Sequence, residues 1–161
     1  MQENTKYRRP DEAELKSSLD ELQYAVLVFG ETEAPHTSPH LQNKDEGIYV
    51  DVATGEPLFT TYDQFDSSCG WPSFTRPIKE KHITTKEDRS HGMCRTEVRS
   101  CGGDFHLGHV FEDGPEDEGG LRYCINGAAI RFVPIEDMEI EGYSYLLPYL
   151  HERKQQCKKH K

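Results

Sequence analysis

The chain has 161 residues and a formal net charge of −10, and its length suits one compact domain whose core needs no disulfide support. The negative charge argues against a nucleic-acid partner, because such proteins present a basic face to phosphate. No apolar run approaches the roughly 20 residues of a membrane span, so we expect no membrane partner either.

A helix is predicted first, from about Asp11 to Leu27. Apolar residues recur there at steps of three and four, which gives one stripe of Leu15, Leu19, Leu22 and Val26. Pro10 stands just before it, where helices tolerate proline. We expect this helix to cover the core. Residues 34–47, which follow it, are rich in proline, serine, threonine and histidine and are predicted as a surface loop.

Short strands separated by glycine and proline turns are predicted for most of the remaining chain. They span Ile48–Val52, Leu58–Phe59, Thr96–Ser100, Asp104–Phe111 and a longer Arg122–Val133. This pattern favours a mainly β domain of antiparallel strands with peripheral helices. A short helix is predicted over Ile135–Glu141, and the basic tail, residues 149–161, is expected to be frayed and solvated.

The segment Arg122–Asn126 places a cation, a thiol and an amide on one face of its predicted strand. Because residues two apart share a face, Arg122, Cys124 and Asn126 point one way, and the apolar residues between them point the other. A nearby cation lowers the pKa of a thiol, and the thiolate is the reactive form. A strand cysteine is also often a small buried apolar residue, so spacing alone leaves both interpretations open.

Two histidines, His106 and His109, are candidates for proton transfer near neutral pH. Positions three apart on a regular strand face opposite sides, so the two share a site only if Gly108 allows a bulge or a sharp twist. The alternatives are that one histidine lies on the surface, or that both bind zinc together with further ligands.

Cys69 and Trp71 lie in an irregular segment, because Gly70 and Pro72 interrupt any regular helix or inner strand. A cysteine in an exposed loop can move to meet another thiol. Trp71 offers a large rigid face that suits a soft apolar group such as a thioether methyl. A core tryptophan beside an inert cysteine is the simpler alternative.

The five cysteines indicate the redox setting. Their odd number makes a poor disulfide framework, and the first five residues lack the apolar core of a signal peptide. We therefore expect a reducing cytoplasm, where cysteines tend to be catalytic, redox-active or metal-bound. No C-x-x-C pair occurs, and Cys94 and Cys101 have no ligand-spaced partners, so we expect no structural metal site.

Five motifs occur in an order that closely resembles the B-type peptide-methionine (R)-S-oxide reductases. They are Phe65–Phe74, Ser90–Met93, His106–Phe111, Asp113–Pro115 and Arg122–Asn126. The resemblance runs from about Leu15 to Phe132, and the segment 141–148 is similar to the tail of bifunctional A/B fusions. It implies one domain over residues 1–161 with a core of about 11–148. The implied fold has two antiparallel sheets in a small barrel-like or tent-like arrangement with peripheral N-terminal helices.

The resemblance implies reduction of the R epimer of methionine sulfoxide, mainly in proteins and without a cofactor. Cys124 matches the family's nucleophile and Cys69 its resolving cysteine. These matches imply a sulfenic acid on Cys124, followed by a Cys69–Cys124 disulfide that thioredoxin reduces. Trp71 matches the residue that packs on the substrate methyl. The residues that match the polar groups around the sulfoxide oxygen are His106, His109 and Asn126. Asp113 and Arg122 match residues that shape and charge the pocket.

The sequence departs from the family's pattern in three places. Many members bind zinc through two C-x-x-C pairs, whereas this chain resembles the zinc-free subgroup, because the matching positions are Asp51, Thr54, Ser100 and Gly103. Gly127 stands where a serine is common, which we expect to loosen the strand beside Cys124. Phe105 replaces a usually small residue before His106.

Three alternative functions compete with sulfoxide reduction. We expect Arg122 and the histidines to lower the pKa of the Cys124 thiol by placing positive charge near its anion. A metal-binding module, a sensor that binds sulfoxide without reducing it, and a thiol peroxidase are the alternative functions. Elemental analysis, sulfoxide turnover with dithiothreitol and peroxide consumption separate them.

Overall fold

The computed structural model describes residues 7–159, with side chains described through residue 157. Two helices, α1 (Glu12–Ser18) and α2 (Glu21–Phe29), stand where one was predicted. They separate at Leu19, whose backbone is extended. Asp20 then starts a new helix with a capping box, in which it accepts from the Gln23 N–H and the Gln23 side chain accepts from the Asp20 N–H. Local capping therefore overrides the continuous apolar stripe.

Nine strands follow within the described residues. They are β1 (Gly47–Asp51), β2 (Pro57–Thr60), β3 (Gln64–Phe65), β4 (Ser73–Phe74), β5 (Ile83–Asp88), β6 (Arg95–Ser100), β7 (His106–Phe111), β8 (Arg122–Ile125) and β9 (Ile130–Pro134). They form a three-stranded sheet, β2–β1–β9, and a six-stranded sheet, β3–β4–β8–β7–β6–β5. All strand pairings are antiparallel, so the prediction of a mainly β fold with two antiparallel sheets is confirmed. Over residues 7–159 the two sheets do not join into a closed barrel.

The predicted long strand over Arg122–Val133 is wrong. The chain leaves the larger sheet after β8, makes a short 3-10 turn at Gly127–Ala129, and enters the smaller sheet as β9. The backbone N–H groups of Gly127 and Ala128 bind the Glu33 carboxylate, so they are unavailable to a strand partner. This crossover links the two sheets shortly after Cys124 in the chain.

Strand β5 was not predicted. It lies at an edge of the larger sheet and exposes the side chains of four of its six residues. Its sequence, Ile-Thr-Thr-Lys-Glu-Asp, has one apolar residue and no alternation. Pairing with β6 along its whole length, from Ile83 opposite Ser100 to Asp88 opposite Arg95, makes it a strand.

Both faces of β1 are buried, because hydrophobic clusters lie on either side of the smaller sheet. Tyr49 packs in the main cluster with Phe59 and Phe74, between the two sheets. Ile48 and Val50 point the other way, into a second cluster. Of the stripe predicted on the N-terminal helices, Leu15, Leu19 and Val26 are buried, whereas Leu22 is exposed.

The second cluster is covered by the C-terminal helices α3 (Ile135–Met138) and α4 (Leu147–Lys159). The helix predicted over Ile135–Glu141 is therefore confirmed in its first part. The prediction of a frayed tail is wrong for the described part, because Arg153 is buried and its guanidinium bonds to Asp63 and Glu118. Residues 160 and 161 of that tail lie outside the described residues.

None of the described helices has both the length and the apolar composition needed to cross a membrane.

Candidate active site

Strand β8 presents the predicted face. Tyr123 is buried in the core, whereas Arg122 and Cys124 are half-buried on the opposite face. In the sheet register, Cys124 lies between Ser73 on β4 and His109 on β7. Directly opposed residues on antiparallel strands share a face, so a hydroxyl, a thiol and an imidazole form a row across three strands.

The two predicted redox cysteines meet at this row. The Cys69 Sγ lies 3.4 Å from the Cys124 Sγ, although the residues are 55 positions apart. Cys69 is on the irregular segment between β3 and β4, where its thiol lies 3.0 Å from the Ser67 hydroxyl and 3.3 Å from the Ser73 hydroxyl. Both cysteines are free thiols here. A disulfide of about 2.05 Å would need only a small approach of the two sulfurs.

The two thiols have opposite pKa shifts. Burial raises the pKa of Cys124 to about 12, and Cys69 adds to the rise while Arg122 opposes it. Burial acts in the same direction on Cys69, but hydrogen bonds from Ser67 and Ser73 outweigh it and lower the pKa of Cys69 to about 7. The expectation that local positive charge lowers the pKa of Cys124 is therefore wrong for the reduced pair. Two sulfurs this close titrate together and hold one negative charge more readily than two.

A pocket of about 210 Å³ opens over the Cys124 thiol. Six of the predicted site residues line it: Cys69, Trp71, His109, Arg122, Cys124 and Asn126. The Trp71 indole is half-buried and held by a 3.0 Å hydrogen bond from its N–H to the Glu33 carbonyl. The pocket therefore combines the two thiols with a rigid aromatic wall and polar groups.

The two histidines come together through a bulge, as the sequence required. The pairing of β6 with β7 shifts between Val98 and Arg99, so that Leu107 is the extra residue. The imidazole centroids of His106 and His109 are then 5.6 Å apart. Gly108 is needed for a different reason from bulge formation, because a Cβ there would lie 2.0 Å from the Cys124 carbonyl oxygen.

The histidines nevertheless occupy different positions. His109 lines the pocket and its Nε2 lies 2.7 Å from the Asp88 carboxylate. His106 is buried behind it, with its Nδ1 2.7 Å from Glu97. Burial lowers the pKa of His106 although Glu97 opposes that shift, and this favours a neutral ring. His106 contacts the ring of His109 and does not line the pocket.

Arg122, Asp113 and Asn126 hold the rim and floor. The Arg122 guanidinium binds the Asp113 carboxylate at 2.9 Å and lies over the Phe111 ring. Asp113 is exposed and contacts the site through Arg122. Asn126 is buried, and its amide donates to the Leu107 carbonyl and accepts from the Glu33 N–H. Its second N–H is the donor that could serve a substrate oxygen.

Several site residues were not predicted. Thr32, Arg95, Gly108 and Phe111 also line the pocket, and Asp88 binds His109 from outside it. Asp88 ends β5, the strand without apolar alternation, so no sequence signal could have paired it with His109. The hydrogen bond from His109 is the largest cause of the lowered pKa of Asp88. Asp88 therefore stays ionised beside the imidazole.

Of the four positions that match zinc ligands elsewhere, Asp51, Thr54 and Gly103 lie together, and the Ser100 hydroxyl interacts with the Asp51 carboxylate. Asp51 accepts a hydrogen bond from the Thr54 N–H, and a Cβ at Gly103 would lie 3.0 Å from the Thr54 methyl. A carboxylate, two hydroxyls and a glycine do not fit the thiolate and imidazole donors of structural zinc. Within residues 7–159 no cluster of three or more His, Cys, Asp and Glu side chains could hold a metal ion.

The two other departures also acquire physical roles. Phe105 is fully buried, lies under the Arg9 guanidinium and packs on Gly103, and it does not line the pocket over Cys124. Gly127 was expected to loosen the chain because it lacks a side chain, but it does not. It is buried, and a Cβ there would lie 2.0 Å from the Ser38 hydroxyl. Its small size permits close packing.

The SelR domain family model matches residues 19–134, which include all nine strands. That domain is the methionine-R-sulfoxide reductase domain, and the paired thiols beneath an aromatic wall agree with such an activity. The chain therefore belongs to the SelR family, the B-type methionine sulfoxide reductases, and is an oxidoreductase of the peptide-methionine (R)-S-oxide reductase type.

Proposed function

We propose that Cys124 is the nucleophile that reduces methionine-R-sulfoxide and that Cys69 resolves the product on it. The observation that supports this most strongly is the 3.4 Å separation of the two Sγ atoms at the base of a pocket. The family match supplies the reaction, and the geometry supports an assignment of its steps to individual residues.

Substrate binding uses the aromatic wall. A sulfoxide methyl packs on the Trp71 indole, which is fixed through its N–H and leaves its face to the pocket. The sulfoxide oxygen, which carries partial negative charge, is directed toward His109 and the amide of Asn126. The sulfur then faces Cys124. The substrates are oxidised proteins, whose side chains can enter this open pocket.

The first chemical step is attack of the Cys124 thiolate on the sulfoxide sulfur. A bond forms between the two sulfurs as the sulfoxide oxygen takes up one proton. Transfer of the resulting hydroxyl to the Cys124 sulfur breaks the original S–O bond and the new S–S bond, which leaves Cys124 as a sulfenic acid and releases the thioether. His109 is the proton donor, directly or through water, since it lines the pocket. The hydrogen bond from the His109 Nε2 to the ionised Asp88 orients the imidazole, and His106 supports the ring from behind.

Ionisation of the nucleophile depends on its neighbour. The charge on Cys69 contributes to the raised pKa of Cys124. Protonation of Cys69 removes that contribution, and the Arg122 cation then acts on Cys124 unopposed by a nearby anion. A proton exchanged between the two sulfurs therefore places the single negative charge where the attack needs it.

The second step regenerates the enzyme. The Cys69 thiolate attacks the sulfenic sulfur of Cys124, which releases water and forms a disulfide. An external dithiol protein, which we propose to be thioredoxin, supplies two electrons and reduces that bond. Location in the cytoplasm stays a prediction.

A stereospecific assay tests the proposal. Peptides with pure R- or S-sulfoxide are supplied with thioredoxin, its reductase and NADPH, and methionine is quantified. We expect turnover of the R epimer alone. Cys69→Ser should give about one methionine per enzyme and then stop, while Cys124→Ser gives none. Undiminished thioredoxin-dependent turnover by Cys69→Ser would show that another thiol, with Cys101 the first candidate, resolves the intermediate.

A further inference from the structure

Glu33 lies where three parts of the site meet. Its side chain is buried, and its carboxylate accepts hydrogen bonds from the backbone N–H groups of Gly127 at 2.7 Å and Ala128 at 3.0 Å. These residues begin the 3-10 turn that follows β8. The carboxylate therefore fixes the chain directly after the nucleophile strand, and each of its oxygens satisfies one backbone donor.

The backbone of Glu33 holds two pocket residues. Its carbonyl accepts the indole N–H of Trp71 at 3.0 Å, and its N–H donates to the Asn126 Oδ1 at 3.0 Å. One residue thus bonds to the aromatic wall and to the amide floor of the pocket. Neither contact uses the carboxylate, so the side chain acts on both residues by fixing the position of its own backbone.

The segment 33–36 also contacts the residue before Trp71. The His36 N–H donates to the Gly70 carbonyl at 2.7 Å, and a Cβ at Gly70 would lie 2.8 Å from the Pro35 side chain. Gly70 has a φ of +97°, a conformation that favours glycine. The segment 33–36 therefore holds the Cys69–Trp71 loop at two points.

We propose that Glu33 is a positioning residue for methionine-R-sulfoxide reduction, because its carboxylate anchors the segment 33–36 to the turn after β8. That segment in turn fixes the indole of Trp71 and the amide of Asn126 relative to the Cys124 sulfur. The inference rests on the proposed function in one respect, the contact between Trp71 and the substrate. Thr32, the neighbour of Glu33, lines the same pocket, which places the anchored segment at its wall.

Glu33→Gln tests the anchor. The variant keeps the size of the side chain but replaces one oxygen with an NH₂ group, which cannot accept from a backbone N–H. Trp71 is the only tryptophan in the chain, so intrinsic fluorescence reports on it alone. We expect stronger quenching of that fluorescence by acrylamide and a KM about tenfold higher, the loss typical of one charge-assisted hydrogen bond. The kcat should fall by less than about threefold, and circular dichroism should show a folded protein. Glu31→Gln, a change at an exposed neighbour, is the control and should leave all of these values unchanged.

A second variant tests the same anchor from its other side. In Gly127→Ala the new Cβ would lie 2.0 Å from the Ser38 hydroxyl and 3.2 Å from the Glu33 Oε2. It should displace Ser38 and the carboxylate and reproduce the rise in quenching and in KM. Adding Ser38→Gly removes the closest atoms and should restore both values toward those of the wild type. This pair keeps the proposal testable if Glu33→Gln fails to fold.

The outcomes separate the two levels of the proposal. Folded Glu33→Gln with unchanged quenching and unchanged KM overturns the positioning role, as does a Gly127→Ala defect that Ser38→Gly does not relieve. Stronger quenching with an unchanged KM supports Glu33 as the anchor of the indole. The unchanged KM in that case would contradict the contact between Trp71 and the substrate, which belongs to the proposed function.

Discussion

Two polar regions of this protein differ in what surrounds them. The first is the pocket over Cys124, which is lined by Cys69, Cys124 and His109 among others. The second region, which we call the carboxyl corner, comprises Asp51, Glu56, Ser100 and Gly103. Glu56 is fully buried there, and its Oε1 accepts from the Gly102 N–H.

Both regions contain groups with shifted pKa values. Burial raises the pKa of Glu56 to about 7, a value suited to acid–base chemistry. None of the described pockets includes Glu56, whereas the Cys124 thiol opens onto one. A shifted pKa therefore marks a functional group only where a substrate can reach it. In the carboxyl corner, a pKa raised by burial affects the stability of the fold.

The largest difference expected between the regions is in turnover. Cys124→Ser should lose at least about a thousandfold in kcat, because an alcohol is a far weaker nucleophile at neutral pH. Glu56→Gln should retain wild-type kcat and KM, because its amide oxygen can still accept from Gly102. Steady-state assays with an R-sulfoxide peptide compare the two. A strong loss in Glu56→Gln would mean that the carboxyl corner takes part in the chemistry.

Beside the pocket, Asp88→Asn should lower kcat by about ten- to a hundredfold. The change replaces the carboxylate that holds the His109 Nε2 with an amide of the same size, which weakens the hydrogen bond that orients the proposed proton donor. Glu87→Gln, at the exposed neighbouring position, is the matched control. Equal kcat values in the two variants would exclude His109 as the proton donor paired with Asp88.

Stability should depend on pH through the carboxyl corner. The raised pKa of Glu56 means that its contribution to stability is fully present below about pH 4.5 and is lost as the pH rises through about 7. Glu56→Gln should therefore match the wild type near about pH 4. Above about pH 8 it should exceed the wild type by up to about 3 kcal/mol in the free energy of unfolding. Urea titrations at both pH values measure this, with exposed Glu139→Gln as the control. Parallel pH curves for wild type and Glu56→Gln would contradict the burial of an ionisable Glu56.

The smallest change concerns the thiol pair. Cys69→Ser should lower the pKa of Cys124, because the neighbouring thiolate that opposes its ionisation is gone. Thiolate absorbance, followed as a function of pH, reports the change when the titration of the Cys69→Ser/Cys124→Ser double variant is subtracted. An unchanged or higher pKa of Cys124 would show that burial alone sets it.

Sequence periodicity predicted those site residues whose placement follows from the regular geometry of a strand. The alternation along β8 placed Cys124 on the polar face. The three-residue spacing of His106 and His109 meant that the two could share a site only through a bulge or sharp twist, and the structure has a bulge there. The roles of Cys69 and Trp71 came from the family resemblance, since nothing in their local spacing chooses between a loop thiol and an inert one.

The features of the fold and of the site that the sequence did not predict depend on contacts between residues far apart in the chain. Glu33 reaches Gly127 across 94 positions, and this contact breaks the strand that alternation predicted. The pKa direction of Cys124 followed from burial and from the distance to Cys69, neither of which the sequence contains. Helix α4 has a polar composition and forms against Asp63 and Glu118, so periodicity did not reveal it.

The most direct test of the central claim is a single turnover followed by mass spectrometry. Reduced enzyme is mixed with excess R-sulfoxide peptide in the absence of reductant, alkylated, digested and mapped. We predict about one methionine per enzyme and one new disulfide, between Cys69 and Cys124, with Cys94, Cys101 and Cys157 alkylated. Methionine formation with Cys124 recovered as a free thiol, or with its disulfide to another cysteine, would contradict the account.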